Sequence, residues 1–203
     1  MTELYPKEMA LHKKLRRLAI EAGEKPLTVG EGLNRLAGGK NAYGIVLLLL
    51  SLLGALPIPT FGIKPLVGLV VVLLGLQITV GKQTMWLPRW FTSIKMRSDW
   101  SMKVTHLGER FLPKMEHFIK PRVNWMKYHI GTFFLGIAVI CLGLVFILSL
   151  IPGAKILAGI ILLALSLGQI KSDGVFTLLA VLATLLLVAL HAEIIYLLVV
   201  WLG

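Results

Sequence analysis

The sequence predicts an all-α integral membrane protein, in which helical hairpins form an internal repeat with about four to five membrane segments and amphipathic helices lie at the interface. Hydrophobic residues make up 57% of the chain, and its mean hydropathy is +0.83. A soluble domain is only about 45–50% apolar, so this composition does not suit a water-exposed surface. Apolar and basic runs alternate along the 203 residues. They divide the chain into segments 1–42, 43–81, 82–130 and 131–203.

Segment 1–42 is predicted to form amphipathic helices on the cytoplasmic side. Leucines at positions 11, 15 and 18 share one helical face, opposite the basic residues at 13, 14, 16 and 17. This pattern is typical of a helix on a membrane surface, and packing against the bundle is the alternative. Thr28 and Glu31 form a capping box that predicts the start of a second helix. The charged N-terminus lacks the apolar core of a cleaved signal peptide, so we expect it to remain on the mature protein.

Segment 43–81 is predicted to be a membrane hairpin. Pro57, Pro59 and Gly62 interrupt its apolar run and mark the turn. The first arm, residues 45–56, would reach about 18 Å as a helix, whereas the hydrocarbon layer is about 30 Å thick. Either residues 41–60 together cross the bilayer or this arm enters and returns. The second arm, residues 65–80, is longer but still short for a span.

Segment 131–203 is predicted to hold a second hairpin and a last span. The hairpin turns at Pro152 and Gly153, and the helical pattern pauses again at residues 171–174, which read Lys-Ser-Asp-Gly. The last span carries His191 and Glu193 near its far end. Ionisable residues inside a membrane are often functional, so both are candidate intramembrane polar residues. Contacts at the interface that reach water are the alternative.

The two hairpins resemble each other at a constant offset of 91 residues. The heptapeptide GIKPLVG at 62–68 matches GAKILAG at 153–159. The same offset aligns further small residues: Gly68 with Gly159 and Gly75 with Ser166. In each copy the two small residues are seven positions apart on one helix face. Small residues at that spacing let membrane helices approach closely, which favours an internal repeat. Because Gly and Leu are common in any membrane helix, chance similarity is the alternative.

Four polar side chains of the repeat are candidate contacts for an anion or a solute: Lys64, Lys155, Gln77 and Gln169. Each lysine is predicted to follow a turn at a helix start, where unpaired N–H groups and the positive end of the helix dipole favour an anion. Snorkelling of each lysine to lipid phosphate is the alternative. The glutamines are predicted to lie at the other ends of their helices, where they could instead cap carbonyl groups.

Segment 82–130 is predicted to form interfacial helices on the cytoplasmic face. It holds ten of the 21 Lys and Arg residues of a chain with net charge +11. It also holds four tryptophans that suit a membrane interface: Trp86, Trp90, Trp100 and Trp125. The positive-inside rule places segments 1–42 and 82–130 in the cytoplasm, in contact with anionic lipids. Nucleic acid is not an expected partner, and a mobile loop is the alternative for this segment.

Catalytic and metal-binding constellations are not predicted. The apolar segments contain no close pair of carboxylates, no HExxH motif and no phosphate-binding glycine loop. Cys141 is the single cysteine, so no disulfide or thiolate metal site can form within one chain. We therefore expect a protein that is not an enzyme and that needs no cofactor or metal.

Four stretches of the sequence follow one another in the order LTVGEGLNRL, GIVLLLLSLLGALPIPTFG, LGLQITVGKQTMWLPRW and IPGAKILAGIILLALSLGQIKSDG. In this order, across residues 27–180, the chain resembles the ExoD family of bacterial exopolysaccharide-synthesis membrane proteins. In that family a Pro-x-Pro turn ends the first apolar run and Trp-Leu-Pro follows the first hairpin, as Trp86, Leu87 and Pro88 do here. The Ile-Pro-x-Gly turn and the basic-Asp-Gly stop of the family each depart by one residue in this chain.

The resemblance implies a multi-pass protein of the bacterial inner (plasma) membrane that takes part in exopolysaccharide production. It carries over no catalytic residue. We therefore expect a non-enzymatic accessory or channel-like component that contacts synthesis or export proteins. The alternatives are a small secondary transporter built from the repeated hairpin and a lipid-binding membrane scaffold. The glycine-marked helix faces also predict self-association, as a dimer.

Overall fold

The computed structural model describes residues 28, 30, 31, 42–55, 63–82, 84–93, 129–149 and 151–202. Its helices are α1 (Ala42–Ala55), α2 (Ile63–Thr79), α3 (Arg89–Thr92), α4 (His129–Leu148), α5 (Pro152–Lys171) and α6 (Gly174–Leu202). Over the described residues the predicted all-α class is confirmed. Five residues predicted as turns or interface anchors lie outside them: Pro57, Pro59, Gly62, Trp100 and Trp125.

Among the described helices, α4, α5 and α6 are long and apolar enough to cross a membrane, judged by length and composition. The arms of the first hairpin are apolar but shorter, with 14 residues in α1 and 17 in α2. At 1.5 Å per residue these arms reach about 21 and 25 Å, which is less than the hydrocarbon thickness of about 30 Å. The described helices therefore fit a membrane protein in which the first hairpin is short.

Proline lies at or near the start of both α2 and α5. α2 begins at Ile63, two residues before the predicted start, so Pro65 falls in its first turn. Pro152 is the first residue of α5, preceded by Ile151 in an extended conformation. Proline is tolerated at these positions because the first N–H groups of a helix have no intrahelical acceptor. Both prolines, which the sequence pattern predicts to break a helix, therefore lie at or near a helix start.

A buried carboxylate starts α6. Asp173 Oδ1 accepts hydrogen bonds from the N–H groups of Val175 and Phe176, both at 3.1 Å. The preceding residue, Ser172, ends α5 in the left-handed conformation, with φ 55°. Asp173 is only 2% exposed, and its charge also complements the positive end of the helix dipole. The four-residue pause predicted at 171–174 is therefore a C-cap followed directly by an N-cap.

Each arm of the first hairpin packs mainly against the second hairpin. α1 lies against α5 and α2 against α4, whereas α1 and α2 share few contacts. α6 packs on α5 and, less extensively, on α4. The core between them contains large apolar side chains with almost no exposure, among them Leu47, Leu50, Leu74, Leu142, Phe146 and Leu162. The two hairpins therefore interleave in one four-helix body, with α6 at its side.

Glycines set the separation of the paired helices. A Cβ atom at Gly68 of α2 would lie 2.7 Å from the carbonyl oxygen of Gly143 in α4. A Cβ atom at Gly159 of α5 would lie 2.7 Å from the carbonyl carbon of Gly54 in α1. Such distances are too short for real Cβ atoms, so a larger residue would push the backbones apart. Close backbone packing of this kind holds membrane helices together, since lipid is as apolar as their side chains.

The predicted capping box near the N-terminus is confirmed. The Thr28 N–H donates to Glu31 Oε2 at 2.9 Å, and the Glu31 N–H donates to Thr28 Oγ1 at 3.3 Å. Between them, a Cβ atom at Gly30 would lie 2.9 Å from Thr92 Cβ in α3. The start of this N-terminal helix therefore packs against the segment that follows the first hairpin.

Candidate functional site

Lys64 and Lys155 lie at the same end of the bundle, where α2 and α5 begin. We call this end the turn end and define it by residues 64, 149, 151 and 155. Each lysine lies in the first turn of its helix, and each is half-buried. Within the part of the chain that the structure describes, Lys155 is the charged group that acts electrostatically on Lys64, and the interaction is repulsive. Two ammonium groups beside two helix starts make a local concentration of positive potential.

His191 of α6 contacts the turn between α4 and α5. Its Nε2 lies 2.8 Å from Ser149 Oγ, and the same hydroxyl oxygen accepts a hydrogen bond from the Ile151 N–H at 3.2 Å. Ser149 is buried. This contact places His191 level with the turn end and ties α6 to it. Glu193, two residues further along, is exposed on α6, so the two candidate polar residues of the last span have different surroundings.

Both polar atoms of the Gln77 side chain form hydrogen bonds within the protein. Its Nε2 donates to the carbonyl oxygens of Trp86 at 2.9 Å and Leu73 at 3.1 Å. Its Oε1 accepts from the Trp86 N–H at 2.7 Å and from the Tyr43 hydroxyl at 3.4 Å. The amide thus pairs with both main-chain groups of Trp86 and fixes the segment after α2. The sequence left open whether Gln77 caps carbonyl groups or contacts a solute, and the structure shows it in contact with main-chain groups.

Gln169 occupies the corresponding place near the end of α5 but differs in its contacts. Its Oε1 is buried, and no donor among the described residues lies within hydrogen-bonding distance of it. The two glutamines that the repeat aligns are therefore not equivalent. After α2 an extended segment returns to meet Gln77, whereas α5 is followed within three residues by α6.

The opposite end of the bundle holds the exposed Trp86 and Trp90. We call it the basic end and define it by Lys82 and Lys171. Trp86 is 60% exposed although its main chain is held by Gln77. Trp90 is also exposed and packs edge-on against Phe91, with ring centroids 5.9 Å apart. Both rings are therefore free to lie among lipid headgroups, as the sequence predicts for interface anchors.

Pro152 and Gly153, predicted as a turn, are instead the first two residues of α5, and the glycine is not sterically required. A Cβ atom at Gly153 would meet no atom within 4 Å. Elsewhere in the described residues, no group of three or more His, Cys, Asp or Glu side chains is placed to hold a metal ion. Cys141 is half-buried in α4.

Two functional contacts were missed by sequence reasoning. Ser149 precedes the turn as an ordinary small polar residue, and no pattern pairs it with His191 in a distant span. Asp173 did have a usable signal, because an Asp-Gly pair directly before a long apolar run is typical of a helix N-cap.

Comparisons with known proteins identify a family and two relatives. A family model described as "Exopolysaccharide synthesis, ExoD" matches residues 11–192. An uncharacterized protein of Synechocystis sp. is 28% identical over 155 residues, which cover 76% of this chain and 73% of that protein. Protein ExoD of Rhizobium meliloti is 28% identical over 139 residues, covering 67% of this chain and 58% of that protein. The match therefore spans less than two thirds of the Rhizobium protein. No solved structure matches the chain.

Proposed function

This chain belongs to the ExoD family of exopolysaccharide-synthesis proteins, and we propose that it is a non-enzymatic accessory or channel-like component of exopolysaccharide synthesis or export in the bacterial inner membrane. The observation that carries this proposal is that Lys64 and Lys155 both lie half-buried in the first turns of α2 and α5, at the turn end. The sequence aligns these lysines at an offset of 91 residues. Each adds an ammonium group to a helix start that already favours anions.

The chemistry of this site suits an acidic group on a polysaccharide, a lipid carrier or a solute. Two like charges held close together repel one another, so an anion between them removes repulsion and adds attraction to both. The half-burial of both lysines strengthens such an interaction relative to one in bulk water. We therefore assign Lys64 and Lys155 the role of attracting an anionic group.

The packing of the hairpins supports an internal repeat. Exchanging the first hairpin with the second converts the α1–α5 interface into the α4–α2 interface, and these are the two most extensive helix pairs. The aligned glycines also make similar contacts, because each lies against a glycine of the helix that it packs on, Gly68 against Gly143 and Gly159 against Gly54. We propose that the two hairpins are copies of one unit related by a pseudo-two-fold axis.

A small secondary transporter is the second candidate. Transporters often build a binding site from repeated, broken hairpins whose helix starts point at an anionic substrate, and α2 and α5 both begin at the turn end. Transport of an anion by the purified protein in vesicles would favour this function over an accessory role. A lipid-binding scaffold is favoured by the exposed Trp86 and Trp90 at the basic end.

Orientation and assembly follow from the charge distribution and the helix faces. We propose that the basic end and segments 1–42 and 82–130 face the cytoplasm and contact anionic lipids. Labels at Lys103 should then be protected from membrane-impermeant reagents in intact cells. We also propose that the protein forms a dimer and that it contacts synthesis or export proteins. Cross-linking in membranes would detect both kinds of contact.

The function is tested by exopolysaccharide output in a strain that lacks the native copy. The Lys64→Gln/Lys155→Gln double variant should insert normally but restore much less output than the wild-type protein. Lys82→Gln/Lys171→Gln is a matched control, since it removes the same charge from the basic end and should restore output. Equal restoration by both double variants, at equal protein levels in the membrane, would refute the proposed role of the lysine pair.

A further inference from the structure

The last helix is much longer than the hairpin helices beside it. α6 has 29 residues, whereas α4 and α5 have 20 each. Contact with Ser149 places His191 level with the turn end. From residue 192 to residue 201, every side chain that the structure describes is exposed. The final part of α6 therefore projects beyond the turn end without support from the rest of the described chain.

Beyond the exposed Glu193 near its start, this projecting part is apolar on all sides. It contains Ile194, Ile195, Tyr196, Leu197, Val199, Val200 and Trp201, all exposed. Exposure of apolar surface to water costs about 25 cal/mol per Å², so water is an unfavourable environment for this part of the helix. Ten residues separate His191 from Trp201, a length of about 15 Å. The hydrocarbon layer covers this apolar surface if the layer extends about 15 Å beyond the turn end.

A second distance can be measured from the basic end. Gln77 holds the main chain of Trp86 through two hydrogen bonds, and the exposed Trp86 ring suits the membrane interface. Thirteen residues of α2 separate Gln77 from Lys64, a length of about 20 Å. Together the two distances give about 35 Å, and the same sum along α5, from Lys171 to Lys155, gives about 39 Å. Both totals lie between the hydrocarbon thickness of about 30 Å and the full bilayer thickness of about 40–45 Å, so the two ends of this path fall in the headgroup regions.

We infer that the turn end lies inside the bilayer, with Lys64 and Lys155 about 10–15 Å beneath the hydrocarbon boundary marked by Trp201. The hairpins α1–α2 and α4–α5 then enter from the basic end and return to it. Among the described helices, α6 alone crosses the whole layer. Both basic segments stay on one side of the membrane in this arrangement, as the charge pattern requires.

The depth changes what the lysines can do. A charged side chain inside the hydrocarbon is costly unless it faces water or a counter-charge, and the two lysines repel rather than neutralise each other. A charged turn end at this depth would need water or an anionic group between the two hairpins. This reading of the site rests on the proposed function, whereas the depth of the turn end does not.

Spin-label depth measurements in bilayers test the placement. A Cys141→Ala background removes the native cysteine, and single cysteines are introduced at lipid-facing positions in phosphatidylcholine–phosphatidylglycerol nanodiscs. Leu157 and Leu190, 52% and 53% exposed, report the level of the turn end. Trp201 reports the tip of α6, and Val80 reports the basic end. For each label, the rate of collision with oxygen, which concentrates in hydrocarbon, is compared with the rate of collision with a nickel chelate, which stays in water.

Labels at positions 157 and 190 should collide mainly with oxygen, whereas labels at 80 and 201 should show the balance typical of the interface. A label at 201 that collides mainly with nickel, together with interfacial labels at 157 and 190, would overturn the inference and place the turn end at the membrane surface. A label at 201 shielded from both reagents would also overturn it, because a second copy rather than lipid would then cover the tip. The measurement needs no activity, so it can succeed or fail independently of the exopolysaccharide test.

Discussion

Gly68 and Gly143 bring α2 and α4 into backbone contact, and a Cβ atom at Gly68 would lie 2.7 Å from the Gly143 carbonyl oxygen. The aligned residue Gly159 makes the equivalent approach to Gly54 in the other large interface. Both positions are fully inside helix pairs, so neither can accept a methyl group without moving a backbone. The stability of the four-helix body therefore depends on two separate glycine contacts.

Gly68→Ala and Gly159→Ala should each lower the free energy of unfolding by about 1–3 kcal/mol, the usual cost of overpacking. Gly153→Ala is the matched control, because its added methyl group meets no atom, and alanine favours a helix by up to about 1 kcal/mol over glycine. Thermal unfolding in one detergent compares the three. Unfolding temperatures for Gly68→Ala and Gly159→Ala as high as that of Gly153→Ala would show that the interfaces are looser than described.

Gln77→Leu should release the main chain around Trp86, since the side-chain amide bonds both its N–H and its carbonyl oxygen. Loss of these bonds should cost roughly 1–3 kcal/mol and should speed amide hydrogen exchange in residues 84–88. Gln169→Leu makes the same chemical change where the buried oxygen has no partner among the described residues, so stability should change little. Similar amide hydrogen exchange in residues 84–88 for both variants would show that Gln77 does not hold the main chain of Trp86.

Asp173→Ala should weaken the start of α6 by about 0.5–2 kcal/mol, the usual effect of removing an N-cap. Two amides, those of Val175 and Phe176, lose their acceptor in this variant, so their exchange should accelerate. Asp173→Asn retains an oxygen that can accept the same bonds and should lose less. If Asn proves as damaging as Ala, charge rather than capping is the property that α6 requires.

The contact between Ser149 and His191 should appear as a coupling energy of about 0.5–1.5 kcal/mol in a double-mutant cycle with Ser149→Ala and His191→Phe. Ser166→Ala serves as the control partner, because the Ser166 hydroxyl donates to Leu163 in its own helix. Additive effects for Ser149 and His191 would mean that their hydrogen bond does not hold α6 at the turn end.

Much of the fold could be predicted because its signals are local. Pro152 marked the start of α5, Thr28 and Glu31 marked a helix start, and family membership followed from the order of such motifs. The partnership of helices could not be predicted in this way. Glycines occur on several helices, and nothing in the spacing of Gly68 indicates that its partner lies in α4 rather than in α1.

The candidate site was predicted in part. The offset of 91 residues aligned Lys64 with Lys155, and the structure places both at the turn end. With a slip of one residue, the alignment also paired Gln77 with Gln169 and implied similar roles, but a glutamine's role depends on which backbone groups reach it, and Gln77 is met by a returning segment. The level of His191 depends on the relative lengths of three helices and their packing, which local patterns do not specify.

The most direct test of the central claim is exopolysaccharide output from single and double variants of Lys64 and Lys155, compared at equal levels of inserted protein. If the two lysines form one anion site, Lys64→Gln or Lys155→Gln alone should reduce output nearly as much as both together, because residues that act as a unit are non-additive. Lys64→Arg/Lys155→Arg should retain most of the output, since the charge remains. Wild-type output from the inserted Gln double variant would contradict the account and leave the lysines as membrane anchors.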